Sequence, residues 1–347
     1  MKLAVFLPNG IGDVIMATPA LRALRRHFGP EASIVGIAKP YVAPVLEGTP
    51  WLNDLWLVDP GSVDPGQSAR AMIRRLRAMR IDTAVLFPNS FRTAWIAWRG
   101  GARQRAGYVR YGRGPLLNVR LFAPMEGDRY SPCSTLDYYL EIAYALGCPP
   151  EPPRMELAAT ACDETQADEV WRALGLRNGR VVAFNSGGAY GIAKHWPDEY
   201  GAELARMIVG SLDHDVLVLC GPGEQERAAT LAGRAGPRVF SLAGFPPSIG
   251  LTKASVRRSR LLVSTDSGPR HFGAAFGVPV VALFGPTHMA WTDTHYEGET
   301  RLQMPVACGP CQQRVCPHGH HRCMWELTAE RVYEAVRNLL ERTGGTT

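Results

Sequence analysis

Hydrophobic positions along the chain fall into short unbroken runs separated by longer stretches in which they recur every three or four residues. Leu3 to Leu7 is the first run. It ends in Gly10-Ile11-Gly12-Asp13 and gives way from Val14 to Phe28 to helical spacing, which predicts strand, glycine turn and helix. A strand over 33–38, an amphipathic helix over 69–80, a strand over 83–87 and a helix over 91–98 continue the rhythm. It restarts with a strand over 181–184, a helix over 197–209, strands over 215–220 and 260–264, a helix over 269–276 and a strand over 279–284. Strands alternating with helices predict an α/β fold with parallel sheets covered on both faces. Between the two series, Gly147-Cys148-Pro149-Pro150-Glu151-Pro152-Pro153 is too rich in proline for a helix interior and marks a domain boundary nearby. The division expected is 1–160 and 161–347, the second part carrying a cysteine-rich loop at 308–323 and a C-terminal helix.

With 347 residues, 46% hydrophobic and 20% charged, the chain is long enough for two domains that each bury a core. The amino terminus lacks the apolar core and small-residue cleavage site of a signal peptide, and no segment has the ~18 uninterrupted apolar residues of a membrane span. A cytoplasmic protein is expected. The net charge of +6 is uneven: residues 1–150 hold 18 Lys and Arg against 11 Asp and Glu, or +7, and the remainder 20 against 21. An anionic ligand is therefore expected at the first half. Nothing in the sequence points to nucleic acid.

Three turns carry candidate chemistry. Asp13 follows the Gly10-Ile11-Gly12 turn, where small residues admit a ligand to the backbone; it reads either as a helix cap or as a general base. A dinucleotide site fits less well, because the third fingerprint glycine is missing and an acid occupies the turn. Ser264 to His271 follows a strand and opens a helix, so backbone N–H groups and the positive dipole end favour an anion there, with Ser267, Gly268 and His271 placed to hold a diphosphate. Ser186-Gly187-Gly188 forms a third strand-end loop. Lys194 beyond it supplies a charge for a departing phosphate, and Glu224, after another strand, is a weaker candidate for a ribose hydroxyl. From Arg92 to Arg120 seven arginines occur without one acid, a pattern suited to carboxylate or phosphate recognition. The arginines of the 69–80 helix either rest on an anionic membrane or flank a core stripe, the second being favoured.

Cys308, Cys311, Cys316 and Cys323, interspersed with three histidines, have a ligand density compatible with zinc or an iron–sulfur cluster. Their spacing fits no standard pattern, which favours free or disulfide-linked thiols in a structured loop.

Taken together, these motifs resemble glycosyltransferase family 9, the ADP-heptose:lipopolysaccharide heptosyltransferases, and within it most of all heptosyltransferase II. The resemblance spans nearly the whole chain and rests on NGIGDVIMATPALRALR, LFPNSFRTAWIAWRGGARQRAGY, KHWP, STDSGPRHFGAAFGVPVVALFGPT and CGPCQQRVCPHGHHRCM. It implies a GT-B fold, two Rossmann-like domains facing across a cleft, the first for acceptor and the second for ADP-heptose. It further implies inverting transfer of heptose to the lipopolysaccharide inner core, with no cofactor required, by a protein at the cytoplasmic face of the inner membrane. Asp13 and Lys194 would be catalytic. Ser186, Gly187, Lys194, Glu224, Asp266, Ser267, Gly268 and His271 would hold the donor, and Gly12, Asn89, Ser90, Arg92 and Arg120 the acceptor. Transfer of another nucleotide sugar to another glycan, or non-catalytic binding of a nucleotide sugar, are the alternatives. Two departures from the family pattern stand out: the loop Ser186 to Gly191, and Arg270 and Phe272 flanking the histidine.

Overall fold

A computed structural model describes residues 1–59, 61–188 and 191–344. It divides into two compact units, one of Met1–Ala158 with Thr292–His295, the other of Ala159–Trp291 with Tyr296–Thr347.

The first unit contains β1 (Lys2–Phe6), α1 (Ile11–Met16), α2 (Thr18–Phe28), β2 (Ser33–Ala38), β3 (Asp54–Leu57), α3 (Ala69–Met79), β4 (Thr83–Leu86), α4 (Phe91–Arg99), β5 (Gln104–Tyr108) and β6 (Val119–Leu121). A small hairpin, β7 (Met125–Glu126) and β8 (Arg129–Tyr130), and α5 (Thr135–Tyr144) complete it. The six long strands form a wholly parallel sheet in the order β3-β2-β1-β4-β5-β6. The second unit repeats the plan with α6 (Ala161–Leu174), β9 (Val181–Asn185), α7 (Asp198–Leu212), β10 (Asp215–Val218), α8 (Gln225–Ala235), β11 (Val239–Ser241), α9 (Ile249–Arg258), β12 (Leu261–Thr265), α10 (Gly268–Phe276), β13 (Val280–Phe284), β14 (Glu299–Gln303), α11 (Arg322–Trp325) and α12 (Ala329–Gly344). Its sheet runs β11-β10-β9-β12-β13-β14, again parallel. Both are Rossmann-type orders, with a switch point between β1 and β4 and between β9 and β12, where such sheets bind ligands at the carboxyl ends of the strands.

The sequence expectation of one helix over 14–28 is corrected. Pro19 has no N–H for the Ile15 carbonyl, so the helix breaks at Ala17 and the Thr18 hydroxyl takes that carbonyl instead, at 2.7 Å. The proline-rich segment is not a loose linker. Glu151 is buried, paired to Arg22 at 2.5 Å and Arg26 at 2.7 Å, and Arg22 also donates to the carbonyls of Pro152 and Arg154. Of the 69–80 helix, Met72, Ile73 and Leu76 pack with Phe6, Ile37, Leu86 and Ile96 in one core cluster, which settles its stripe as core rather than membrane contact. No helix among the described residues is long and apolar enough to cross a membrane.

Candidate functional site

At the β12 end of the second unit, a chain of buried charges is built from four separate elements. Asp266 accepts from Lys194 Nζ at 2.7 Å, from the Thr287 hydroxyl at 2.7 Å and from Arg270 at 3.2 Å. Arg270, wholly buried, donates twice to Glu299 at 2.6 and 2.8 Å, and Arg301 meets the same carboxylate at 2.6 Å. Burial alone would raise the Asp266 carboxyl, but Lys194 and Arg270 outweigh it and hold the group well below the ordinary carboxylate range. The Asp266 and Glu299 carboxylates are bridged by the Lys194, Arg270 and Arg301 cations beside α10, whose amino end carries the positive end of the helix dipole. Arg270, a departure from the family pattern, is thus the central link of the chain.

The loops on either side are stapled to each other. Asn185 Nδ2 donates to Ser267 Oγ at 2.9 Å and to the Gly187 carbonyl at 3.0 Å, and Thr265 Oγ1 reaches that carbonyl at 2.5 Å. A Cβ on Gly187 would stand 2.6 Å from Glu224 Oε1, so a larger residue there would push the Glu224 carboxylate aside. His271 is driven neutral, chiefly by burial and secondly by Arg270, to a pKa of about 3. Its Nδ1 is buried without a hydrogen-bond partner among the described residues. An unsatisfied buried polar atom beside a helix start is unusual and makes this imidazole a candidate for contact with a ligand.

The remaining donor-side candidates are held by neighbours within the second unit. The Asp266 carboxylate is taken up by Lys194, Arg270 and Thr287. Lys194 is a buried partner of Asp266, at 2.7 Å from Oδ2 and 2.8 Å from the backbone oxygen. Glu224 spends Oε2 on the Gly221 N–H at 2.9 Å and fixes the 221–223 turn. Ser186 is buried, and its carbonyl accepts the Trp196 N–H at 3.1 Å. Ala189 and Tyr190, part of the other departure, lie outside the described residues.

At the β1 end of the first unit, Gly10 caps α1 through its backbone and Asp13 occupies the first turn beside it. A Cβ at Gly10 would collide with the Asp13 carboxylate, so the glycine makes room for the acid. Tyr41 and Tyr139 are residues that sequence reasoning missed: burial first, and then the charge of Asp13, raises both phenols. Their sequence surroundings give no signal, since α5 and the loop after β2 meet Asp13 only in three dimensions. Asn89, after β4, accepts from Arg113 at 3.0 Å and from the Tyr138 hydroxyl at 3.2 Å. Ser90 caps α4 through the Thr93 N–H at 3.2 Å.

The acid-free arginine stretch is not one basic face. Arg113 is wholly buried and holds the Tyr108 carbonyl at 2.8 Å, its pKa lowered by burial to about 10, while Arg105 donates to the Leu116 carbonyl at 2.7 Å. Arg92 and Arg120 are exposed, but Arg120 lies on β6, three strands from β1, so the sheet does not bring it to Asp13.

The four clustered cysteines are free thiols, and they line one small cavity with His318, His320 and His321. Among the described residues no three His, Cys, Asp or Glu side chains stand in metal-ligating positions. The loop is hydrogen-bonded to the segments that carry Lys194 and Thr287: the Ala193 N–H donates to the Arg314 carbonyl at 3.1 Å and the Gln312 N–H to the Pro286 carbonyl at 2.8 Å.

Residues 69–321 match the family model described as Glycosyltransferase family 9 (heptosyltransferase). Lipooligosaccharide heptosyltransferase 2 of Campylobacter jejuni is 26% identical over 350 residues, covering 99% of each chain. Among solved structures, the ADP-heptose lps heptosyltransferase II of E. coli superposes with a TM-score of 0.79 at 23% identity, over 99% of this chain and 100% of that one. The glycosyl transferase family 9 structure from Veillonella parvula gives a TM-score of 0.82 at 23% identity, over 98% and 97%. The two sheets of identical strand order make the fold class GT-B.

Proposed function

Because the chain belongs to glycosyltransferase family 9, the heptosyltransferases, we propose that it moves heptose from ADP-heptose onto the inner core of lipopolysaccharide, with inversion at the anomeric carbon. The observation that carries this reading is the α10 amino terminus, set beside the buried Lys194, Asp266, Arg270 and Glu299 chain and a buried imidazole whose Nδ1 has no hydrogen-bond partner among the described residues. That is a seat for a diphosphate leaving group. The relatives, a lipooligosaccharide heptosyltransferase 2 and an ADP-heptose lps heptosyltransferase II, point to the sugar and the acceptor.

In the proposed reaction Asp13 takes the proton of the acceptor hydroxyl as its oxygen attacks the anomeric carbon, and the bond to the diphosphate breaks on the opposite face. The backbone amides at Ser267 and Gly268, with Lys194 and Arg270 behind them, stabilise the charge on departing ADP. These donors do the work without a metal. Gly12, Asn89, Ser90 and Arg92 serve the acceptor side, and the protein works peripherally at the cytoplasmic face of the inner membrane, where a nucleotide sugar and a lipid-anchored acceptor are both available.

Incubation with ADP-heptose and defined truncated core acceptors, read by mass spectrometry, tests the reading. Product heavier by one heptose and stoichiometric ADP are expected; retention of ADP-heptose without ADP release makes the protein a binder, and transfer only from another nucleotide sugar changes the donor. Asp13→Asn should lower turnover roughly 10²–10⁴-fold with donor binding intact. Near-normal turnover would remove Asp13 from the role of base.

A further inference from the structure

Helix α4 carries two opposed faces. Ala94, Ile96 and Ala97 are buried against the first unit's sheet, whereas Phe91, Trp95 and Trp98 are 50%, 37% and 47% exposed. At ~100° per residue these three aromatics fall within roughly 60° of arc, so they form one strip down the outer side of the helix. Arg92 and Arg99 lie along one edge of that strip, both exposed and neither in an ion pair among the described residues. The Arg99 guanidinium stands 5.9 Å from the Trp98 ring centre. Arg77 of α3 donates to the Arg99 carbonyl at 2.7 Å, which adds its charge, and that of exposed Arg74 one turn earlier, to the same side. The stretch Arg92 to Arg120 holds no acid, and Asp82, the acid facing it, is paired to Arg103 at 3.7 Å.

Three large rings side by side in water are costly unless something covers them, and their rim says what does. Tryptophan and phenylalanine seat at the headgroup level of a bilayer, and unpaired arginines beside them meet lipid phosphates. We propose that this outer face of α4 is the surface by which the protein docks on an anionic phospholipid bilayer. The proposal rests on the peripheral membrane action proposed above and names the residues that carry it. It replaces α3, whose apolar stripe is core, as the membrane element.

Sedimentation of the full chain with sucrose-loaded vesicles of phosphatidylethanolamine and phosphatidylglycerol, against phosphatidylcholine vesicles, tests it. The wild type should sediment with the anionic vesicles, less so at high salt, and hardly with the zwitterionic ones. Trp95→Ser/Trp98→Ser should weaken partition about tenfold or more, and Arg99→Gln about fivefold. Both variants should keep the turnover on a soluble, delipidated core acceptor, because none of these residues is a candidate site residue, and Arg99→Gln should also keep the thermal midpoint, because its side chain is exposed. A double variant that partitions like the wild type overturns the α4 assignment while leaving membrane association standing. A wild type that binds no vesicle overturns both. A wild type dimer that the double substitution dissociates gives the strip to a second copy and overturns the proposal. Transfer to the soluble acceptor reports on the heptosyltransferase reading separately from any of these.

Discussion

Asp266 has almost no access to water and no freedom to lose its partners. Its carboxylate lies between Lys194 and Arg270, each itself buried, so Asp266→Asn takes the nearest counter-charge from Lys194, while Arg270 keeps Glu299. The expected loss is about 3–5 kcal/mol, the cost of breaking a buried pair from one side, read as a fall in the urea midpoint without a change in slope. His271 gives a pH signature of opposite chemistry. Its folded pKa of about 3 lies below the ordinary 6.5, so at pH 7 both folded and unfolded forms are neutral and nothing is gained or lost. Below 6.5 the unfolded imidazole takes a proton that the folded one refuses, and stability falls by about 1.4 kcal/mol per pH unit down to the folded value. From pH 7 to pH 5 this amounts to about 2 kcal/mol, which His271→Gln should abolish in paired urea melts at the two pH values. The sequence made the β12-to-α10 turn legible because a strand running into Ser-Thr-Asp-Ser-Gly-Pro has few alternative local structures. It did not make legible which way Asp266 turns, since Lys194 and Thr287 reach it from 72 and 21 residues away.

Among elements, the central strands were the readable ones. β1, β9, β12 and β13 are buried on both faces and therefore appear as unbroken apolar runs. β3, β6 and β14 are sheet edges, half-exposed and mixed in polarity, and give no such run. The helix break at Pro19 was visible in the residue type, yet the apolar spacing continued through it because α1 and α2 both bury their faces in the same unit. The cysteine-rich segment has its own test. The Cys316 thiol is lowered by the backbone N–H of His321, opposed by slight desolvation, with further N–H groups from His318, Gly319 and His320, whereas burial, and secondly its three cysteine neighbours, pushes Cys323 up to about 11. Iodoacetamide at pH 7 should therefore alkylate Cys316 first, and Cys323, Cys148 and Cys220 last, as peptide mapping over a time course would show. Uniform labelling of the four clustered thiols would mean that the loop does not hold this conformation in solution.

Over the whole chain, charge is divided as unequally as chemistry. The first 150 residues carry seven positive charges in excess and the rest one negative, while both halves fold on the same strand order. Fold therefore does not explain the difference, and ligand does: the half proposed to meet the acceptor faces a multiply phosphorylated or carboxylated core, whereas the donor half needs only the local cation of the α10 site. Screening separates the two. Exposed arginines such as Arg92 and Arg120 act through water, and at 0.5 M salt the screening length is shorter than about 5 Å, so their pull on an anionic acceptor largely vanishes. The buried Lys194, Asp266 and Arg270 are shielded from salt by protein, and their hold on a diphosphate survives. Raising salt from 0.05 to 0.5 M should thus increase the KM for a soluble phosphorylated acceptor about tenfold or more while changing the KM for ADP-heptose only about two- to threefold. Steady-state kinetics with each substrate varied in turn measures both. A larger effect on the donor than on the acceptor would place the acceptor's recognition away from the basic first half.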